Sequence, residues 1–265
     1  MQLSSIIQDV ECIAKKAGAF IRVERLNFQF NKAEVKAKND LVSYVDKTSE
    51  KIIVDFLAEK YPDFGFITEE NTTTTQKEIN WIIDPLDGTT NFIHGIPCYA
   101  VSIGLEQNGK IILGVVYEVA QNECFSAFEG NGAFLNGKRI SVSACDKLSD
   151  SLIATGFPVN NFSRIQSCLN SIEYFMRNTH GVRRIGSAAS DLCYLACGRV
   201  DAFFEYNLNS WDVAAAIIIV KEAGGKISDF SFGENYLFGK EIMVSNNLMF
   251  NEFATVINAC FKKIV

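Results

Sequence analysis

Between residues 99 and 140 the chain carries three Asn-Gly pairs, at 108–109, 131–132 and 136–137, set between short apolar runs. Asn and Gly enter the left-handed backbone region at little cost, as tight hairpin turns require. This stretch is therefore predicted to be antiparallel sheet. After about residue 145 the pattern changes. Strands are predicted at 151–155, 182–185 and 202–206 and near Ile227 and Met243, alternating with helices at 163–177, 188–197, 211–223 and 248–262. Such alternation makes a layered α/β half. Ahead of the sheet, Ile6, Ile7, Val10, Ile13, Ala14, Ala17 and Ile21 recur at helical spacing and predict a helix over 4–24. A second helix is predicted to begin near Ser43, with Asp46 as a partial capping box, and to end at Tyr61-Pro62. Ile52, Ile53, Phe56 and Leu57 form its inner face, and short strands follow at 64–68 and 81–83. The chain reads as two sub-domains, 1–145 and 146–265, with the site at their junction, where ligand pockets often lie.

With 265 residues the chain has room for one large domain or two modest ones. Its net charge is -6 and no Lys/Arg run exceeds two residues, which disfavours nucleic-acid and anionic-membrane partners. The first twenty residues lack the basic start and unbroken apolar stretch of a signal peptide. No segment approaches the roughly 18 apolar residues of a membrane-spanning helix. Eight cysteines are scattered without a CxxC pair, so reduced thiols and a cytoplasmic location are expected. The tract NTTTT at 71–75 is the nearest thing to a flexible loop.

The chemistry concentrates in INWIIDPLDGTTNF, residues 79–92. An apolar strand over 81–83 delivers Asp84 at its end. Pro85 fixes a turn, and Asp87 follows three residues after Asp84. Gly88 permits close backbone approach, and Thr89 is placed to start a helix as its N-cap. Two carboxylates with free N–H groups behind them suit Mg²⁺ and phosphate together, because Mg²⁺ takes hard oxygen ligands and leaves room for substrate and water. Asp-Pro-x-Asp-Gly alone is also an ordinary turn; the longer string is far more specific. Two further acidic positions fit. Glu69 and Glu70 follow a predicted strand, where a solvated pair is equally ordinary. Asp212 opens the small-residue helix in NSWDVAAAIIIVKEAGG (209–225), where an acid also complements the helix dipole.

IDPLDGTTNF followed by WDVAAAIIIVKEAGG resembles the two signature motifs of the inositol monophosphatase family. TEEN before the first motif resembles that family's acidic strand end, and DLVSYVD (40–46) its DLVT-x-x-D segment, with Ser43 in place of Thr. The likeness covers essentially the whole chain. It implies an αβαβα sandwich of the inositol monophosphatase/fructose-1,6-bisphosphatase type, an α+β or α/β class fold, usually dimeric, with Mg²⁺ as working metal and inhibition by Li⁺. It implies that Glu69, Asp84 and the Leu86 carbonyl hold one ion, that Asp84, Asp87 and Asp212 hold a second, and that a third, weaker ion sits near Glu69. Gly88 and Thr89 would bind phosphate through their N–H groups. Glu205 and the Gly186-Ser187-Ala188 turn would meet substrate hydroxyls, alongside Asp87 and Asp212. Ala216 stands where Gly is frequent, and Lys38 is aligned with a Lys near the metals.

The implied activity is hydrolysis of a small phosphorylated polyol or sugar, foremost myo-inositol monophosphate, by metal-activated water. Glu69 and the Thr89 hydroxyl would help to deprotonate that water, and Asp212 would orient the water that protonates the alcohol. Alternatives are fructose 1,6-bisphosphate, histidinol phosphate or 3′-phosphoadenosine nucleotides. Thr90-Asn91 argues against the nucleotide branch. A non-catalytic regulatory protein of the same fold is less favoured, because Glu69, Asp84, Asp87 and Asp212 are all present. Other phosphatase chemistries fit poorly. Only His94 and His180 exist, so a multi-histidine metal site is disfavoured. Cys193 and Arg199 have Cys-x5-Arg spacing, but within a predicted helix. Gly132 to Lys138 matches G-x-x-x-x-G-K, but in a hairpin and with Arg139 where Ser or Thr belongs.

Overall fold

The structure, a computed structural model, describes residues 2–28, 33–37, 40–73 and 75–262. Helix α1 spans Leu3–Asn27, and its buried residues are the ones the helical spacing singles out, together with Gly18. A small hairpin, β1 (Ala33–Ala37) and β2 (Asp40–Ser43), precedes α2 (Tyr44–Lys60). The second helix thus starts one residue after Ser43, which belongs to a strand. Lys38 lies outside the described residues, as does Thr74 of the NTTTT tract.

A seven-stranded sheet follows: β3 (Gly65–Thr68), β4 (Ile79–Asp87), β5 (Ala100–Gln107), β6 (Lys110–Glu118), β7 (Glu123–Phe128), β8 (Gly132–Leu135) and β9 (Lys138–Ile140). The strands lie in sequence order, with β3 parallel to β4 and every later pair antiparallel. Short α3 (Thr89–His94) interrupts the chain between β4 and β5. Two of the three predicted Asn-Gly turns are where the sequence puts them. The third falls at 129–131, one to two residues early, with Gly130 at a φ of 79° and Gly132 already in β8. Asn108 and Gly109 have φ of 54° and 79°, and Asn136 and Gly137 have 48° and 76°. Successive positive φ values match the right-handed twist of a two-residue hairpin. Residues 132–138 therefore form the β8–β9 hairpin, with no phosphate loop between strand and helix.

The second sheet contains β10 (Leu152–Thr155), β11 (Gly181–Arg183), β12 (Ala202–Tyr206), β13 (Gly225–Ser228) and β14 (Glu241–Asn246), in the order β11-β10-β12-β14-β13. Strands β10, β11 and β12 run parallel, and β14 is antiparallel to both its neighbours. Its helices are α4 (Ile165–Asn178), α5 (Ala188–Ala196), α6 (Ser210–Glu222) and α7 (Phe250–Phe261). The last helix begins two residues later than the apolar pattern predicts, because Met249 serves as its N-cap.

Strand alternation sets the layering. Trp81 and Ile83 on β4 face α1 and α2, whereas Ile82 faces the core shared with α5 and α6. On β12, Phe203 points to that shared core and Phe204 to α4 and α7. The result is the expected αβαβα sandwich, with α5 and α6 between the two sheets. Helix α6 can occupy this layer because the contact is made of small groups. A Cβ at Gly114 of β6 would lie 2.2 Å from the Ala215 carbonyl oxygen, and one at Gly104 of β5 would lie 3.1 Å from Ala214 Cβ. Ala216, where Gly was noted as frequent, is fully buried in the same helix. Close approach here fixes the amino end of α6, and hence Asp212, against β4 and β5. Among the described residues, no helix is long and apolar enough to cross a membrane.

Candidate active site

Strand β4 does not stop at Ile83 as predicted but continues to Asp87, and Asp84-Pro85-Leu86-Asp87 is a bulged strand rather than a turn. Asp84 opposes Ser102 and Asp87 opposes Ala100, so β4 carries one more residue than β5 between these pairs. A bulge suits Pro85, which has no N–H to give to the ladder. The Pro85 carbonyl instead accepts the Ser49 hydroxyl of α2 at 3.1 Å. The turn comes at Gly88, whose φ of 88° is left-handed. A Cβ there would also crowd the carbonyls of Cys98 at 3.1 Å and Gly186 at 3.2 Å. Gly88, not Thr89, is the N-cap of α3. The Thr89 hydroxyl lies 2.9 Å from Asp46 Oδ1 and 2.9 Å from the Leu86 carbonyl oxygen.

The other acids arrive from separate elements. Glu69 follows β3, and its N–H donates to the Ile83 carbonyl at 3.2 Å. The loop beyond it is held by buried Glu50 of α2, which accepts the N–H of Glu70 at 2.7 Å, the N–H of Thr72 at 2.9 Å and the Thr72 hydroxyl at 2.7 Å. Asp212 is the third residue of α6, and Asn209 is the N-cap. Asp212 Oδ2 accepts the Asn209 N–H at 2.6 Å in a capping box, so this oxygen does the structural work the sequence allowed for. The second half of the chain also grips Asp87. Its Oδ2 accepts the Ser187 hydroxyl at 2.6 Å and the Ala189 N–H at 2.7 Å. Asn91 ties the same region together, donating to the carbonyls of Cys98 at 2.8 Å and Ile185 at 2.9 Å.

These contacts build one cleft of about 190 Å³. Glu69, Asp87, Gly88, Thr89, Gly186, Ser187, Ala188, Glu205 and Asp212 all line it. Asp84 and Leu86 are buried just behind that lining, at 2% and 0% exposure. Burial pushes the Asp84 carboxyl well above its usual range, and the charges of Glu69, Asp87 and Asp212 add to the shift, together with a hydrogen bond to Glu69. Burial also raises Asp87, to about 6, against the opposing hydrogen bonds from Ser187 and Ala189. Asp212 is raised by burial and by Asp87.

The donor set is all carboxylate and carbonyl oxygen, crowded and mutually repelling, which is the chemistry a hard divalent cation requires. Among the described residues no three acidic, histidine or cysteine side chains converge on a single point. Asp84 nonetheless lies within electrostatic reach of Glu69, Asp87 and Asp212, and Asp212 within reach of Asp87 and Glu69. Mg²⁺ keeps several waters and takes few protein ligands, so it needs no tight all-protein cage.

The sequence marks Asp46 only as a capping acid and within DLVSYVD, and does not mark Glu50, Asp191 or Arg184 at all. Asp46 and Glu50 stand four apart on the apolar face of α2, among buried Val45, Ile53 and Leu57. Acids at helical spacing within an apolar stripe were the available signal. Asp191 and Arg184 also line the cleft. Nothing local distinguishes Asp191 from an ordinary first-turn helix acid. The decoys resolve as expected: Cys193 is fully buried within α5.

A sequence profile of the inositol monophosphatase family matches residues 2–261. The inositol-1-monophosphatase of Mesorhizobium japonicum is 38% identical over 251 residues, covering 94% of each chain. The protein named Nus factor SuhB in Escherichia coli K12 is 42% identical over 235 residues, covering 88% of each. The crystal structure of the extragenic suppressor protein suhB from Bartonella henselae superposes with a TM-score of 0.90 at 39% identity, covering 98% of this chain and 100% of that one.

Proposed function

This chain belongs to the inositol monophosphatase family, and on that premise we propose that it is a Mg²⁺-dependent phosphomonoesterase acting on myo-inositol monophosphate or a close polyol phosphate. The observation that carries this reading is the gathering of Glu69, Asp84, Asp87 and Asp212, from three separate segments, within electrostatic reach of one another at one cleft. Two or three ions are expected. Glu69, Asp84 and the Leu86 carbonyl would hold one, and Asp84, Asp87 and Asp212 another. Bound there, the cations supply Lewis-acid charge against the negative charge that builds on the phosphoryl and leaving oxygens.

The chain's own groups do the rest. The N–H groups of Gly88 and Thr89 hold phosphate oxygens at the left-handed turn. Glu69 takes the proton of the attacking water, assisted by the Thr89 hydroxyl, which Asp46 orients from 2.9 Å. Asp212 orients the water that returns a proton to the leaving alcohol. Glu205 and the Gly186-Ser187-Ala188 turn contact the alcohol. Most of the rate comes from charge stabilisation and positioning, because the uncatalysed reaction is extremely slow. Inhibition by Li⁺, a homodimer and a cytoplasmic location complete the reading. Eight unpaired thiols fit a reducing compartment.

A second reading, a regulatory and non-catalytic role, is favoured by the relative that bears the name Nus factor. Phosphate release from a panel of inositol, sugar and nucleotide phosphates, with and without Mg²⁺, separates the two. Catalysis predicts Mg²⁺-dependent release that Asp84→Asn abolishes with the fold intact. Binding of Mg²⁺ with no hydrolysis of any ester supports the regulatory reading.

A further inference from the structure

The mechanism leaves one acid of the cleft unused. Asp191 stands on α5, one turn after Ser187, and is 1% exposed. Its Oδ1 is buried and has no hydrogen-bond partner among the described residues. Buried carboxyl oxygens are almost always met by a donor. A bound solute or an ordered water in the cleft is the remaining source.

Glu205 approaches the same cleft from β12. Its carboxylate fits because residue 156 is Gly: a Cβ there would fall 2.1 Å from both carboxylate oxygens. Arg184 is the one cation among the described lining residues, and its guanidinium sits over the Phe157 ring at 5.6 Å. Burial and neighbouring carboxylates push both Asp191 and Glu205 above the usual range, with Arg184 opposing.

We propose that Asp191 is a specificity-determining residue, which with Glu205 selects phosphate esters whose alcohol offers hydroxyl donors over esters whose alcohol carries a second phosphate. The inference rests on the phosphatase reading above. Hydroxyl groups supply the donor that Asp191 Oδ1 lacks and can donate to Glu205 beside it. A second phosphate brings acceptors and negative charge to two acids faced by a single guanidinium. Sites built to bond a substrate hydroxyl discriminate strongly, because the partner left unmet is costly.

The test measures kcat and KM at saturating Mg²⁺ on inositol 1-phosphate, p-nitrophenyl phosphate and fructose 1,6-bisphosphate. Wild type is expected to favour the inositol ester over the bisphosphate by at least about tenfold in kcat/KM. Asp191→Ala is expected to raise KM for the inositol ester about tenfold, the size of one hydrogen bond to a charged acceptor, and to change kcat less. The loss on p-nitrophenyl phosphate is expected to be smaller. Asp191→Asn, which keeps an acceptor and drops the charge, should recover part of that loss and narrow the gap to the bisphosphate. Equal losses on all three esters would make Asp191 a scaffold residue and overturn the proposal. So would a wild type that hydrolyses the bisphosphate as well as the inositol ester, a result that needs no variant. Wild-type protein inactive on every ester would instead overturn the phosphatase reading itself.

Discussion

The Ser187 hydroxyl donates to Asp87 Oδ2 at 2.6 Å, a bond between residues 100 positions apart that links α5 to the bulged end of β4. The Ala189 N–H, at 2.7 Å from the same oxygen, keeps Asp87 partly held if the hydroxyl is removed. Ser187→Ala should therefore weaken the site without dispersing it. Partners of a metal-binding carboxylate typically contribute about tenfold or more to metal affinity. The half-saturating Mg²⁺ concentration for activity is expected to rise about tenfold, with the thermal midpoint lowered by only a few degrees because Ser187 also caps α5 by accepting the Ser190 N–H. An unchanged Mg²⁺ requirement would show that Asp87 does not hold the ion.

Crowded carboxylates predict an unusual pH dependence for chelator-treated protein. Asp87 titrates near 6 in the folded chain, above the 3.8 of a free side chain. The folded state thus binds more protons than the unfolded state between these values, and the contribution of Asp87 to stability falls as pH rises through them. Asp87→Asn removes this charge. The variant is expected to be more stable than wild type in EDTA at pH 7.5, by up to about 3 kcal/mol. The advantage should fade as pH drops from about 6 towards 4, and Mg²⁺ should reverse it at neutral pH. Denaturant titrations of both proteins across this range provide the check.

The approach of α6 to the large sheet leaves no room for a side chain at residue 114. Gly114→Ala would press a methyl group to within 2.2 Å of the Ala215 carbonyl and 2.7 Å of Ile218 Cγ2. Overpacking of this kind costs about 1–3 kcal/mol. Because α6 carries Asp212, activity should fall by more than the unfolded fraction explains. Urea unfolding and the Mg²⁺ dependence of turnover, measured on the same preparation, separate the two effects.

Features encoded within a few residues were legible in the sequence. The hairpins at Asn108-Gly109 and Asn136-Gly137 depend on local backbone preference. The acids Asp84, Asp87 and Asp212 sit in strings long enough to be specific. What escaped was set by distance. Whether Asp84-Pro85-Leu86-Asp87 is a turn or a bulged strand depends on β5, which supplies the partner residues Ser102 and Ala100. Thr89 reads as an N-cap, but Gly88 takes that place and the hydroxyl meets Asp46, 43 residues earlier. Asp191 looks like an ordinary helix acid until its surroundings show an oxygen without a donor. Lys38, aligned near the metals, lies outside the described residues.

The account stands on divalent cations held by Glu69, Asp84, Asp87 and Asp212. The most direct measurement is an anomalous-difference map from crystals soaked in Mn²⁺, a scattering substitute for Mg²⁺. Strong peaks bridging these four side chains, and losing occupancy in Asp84→Asn crystals, are the predicted result. A map with no peak among them at saturating Mn²⁺ would contradict it.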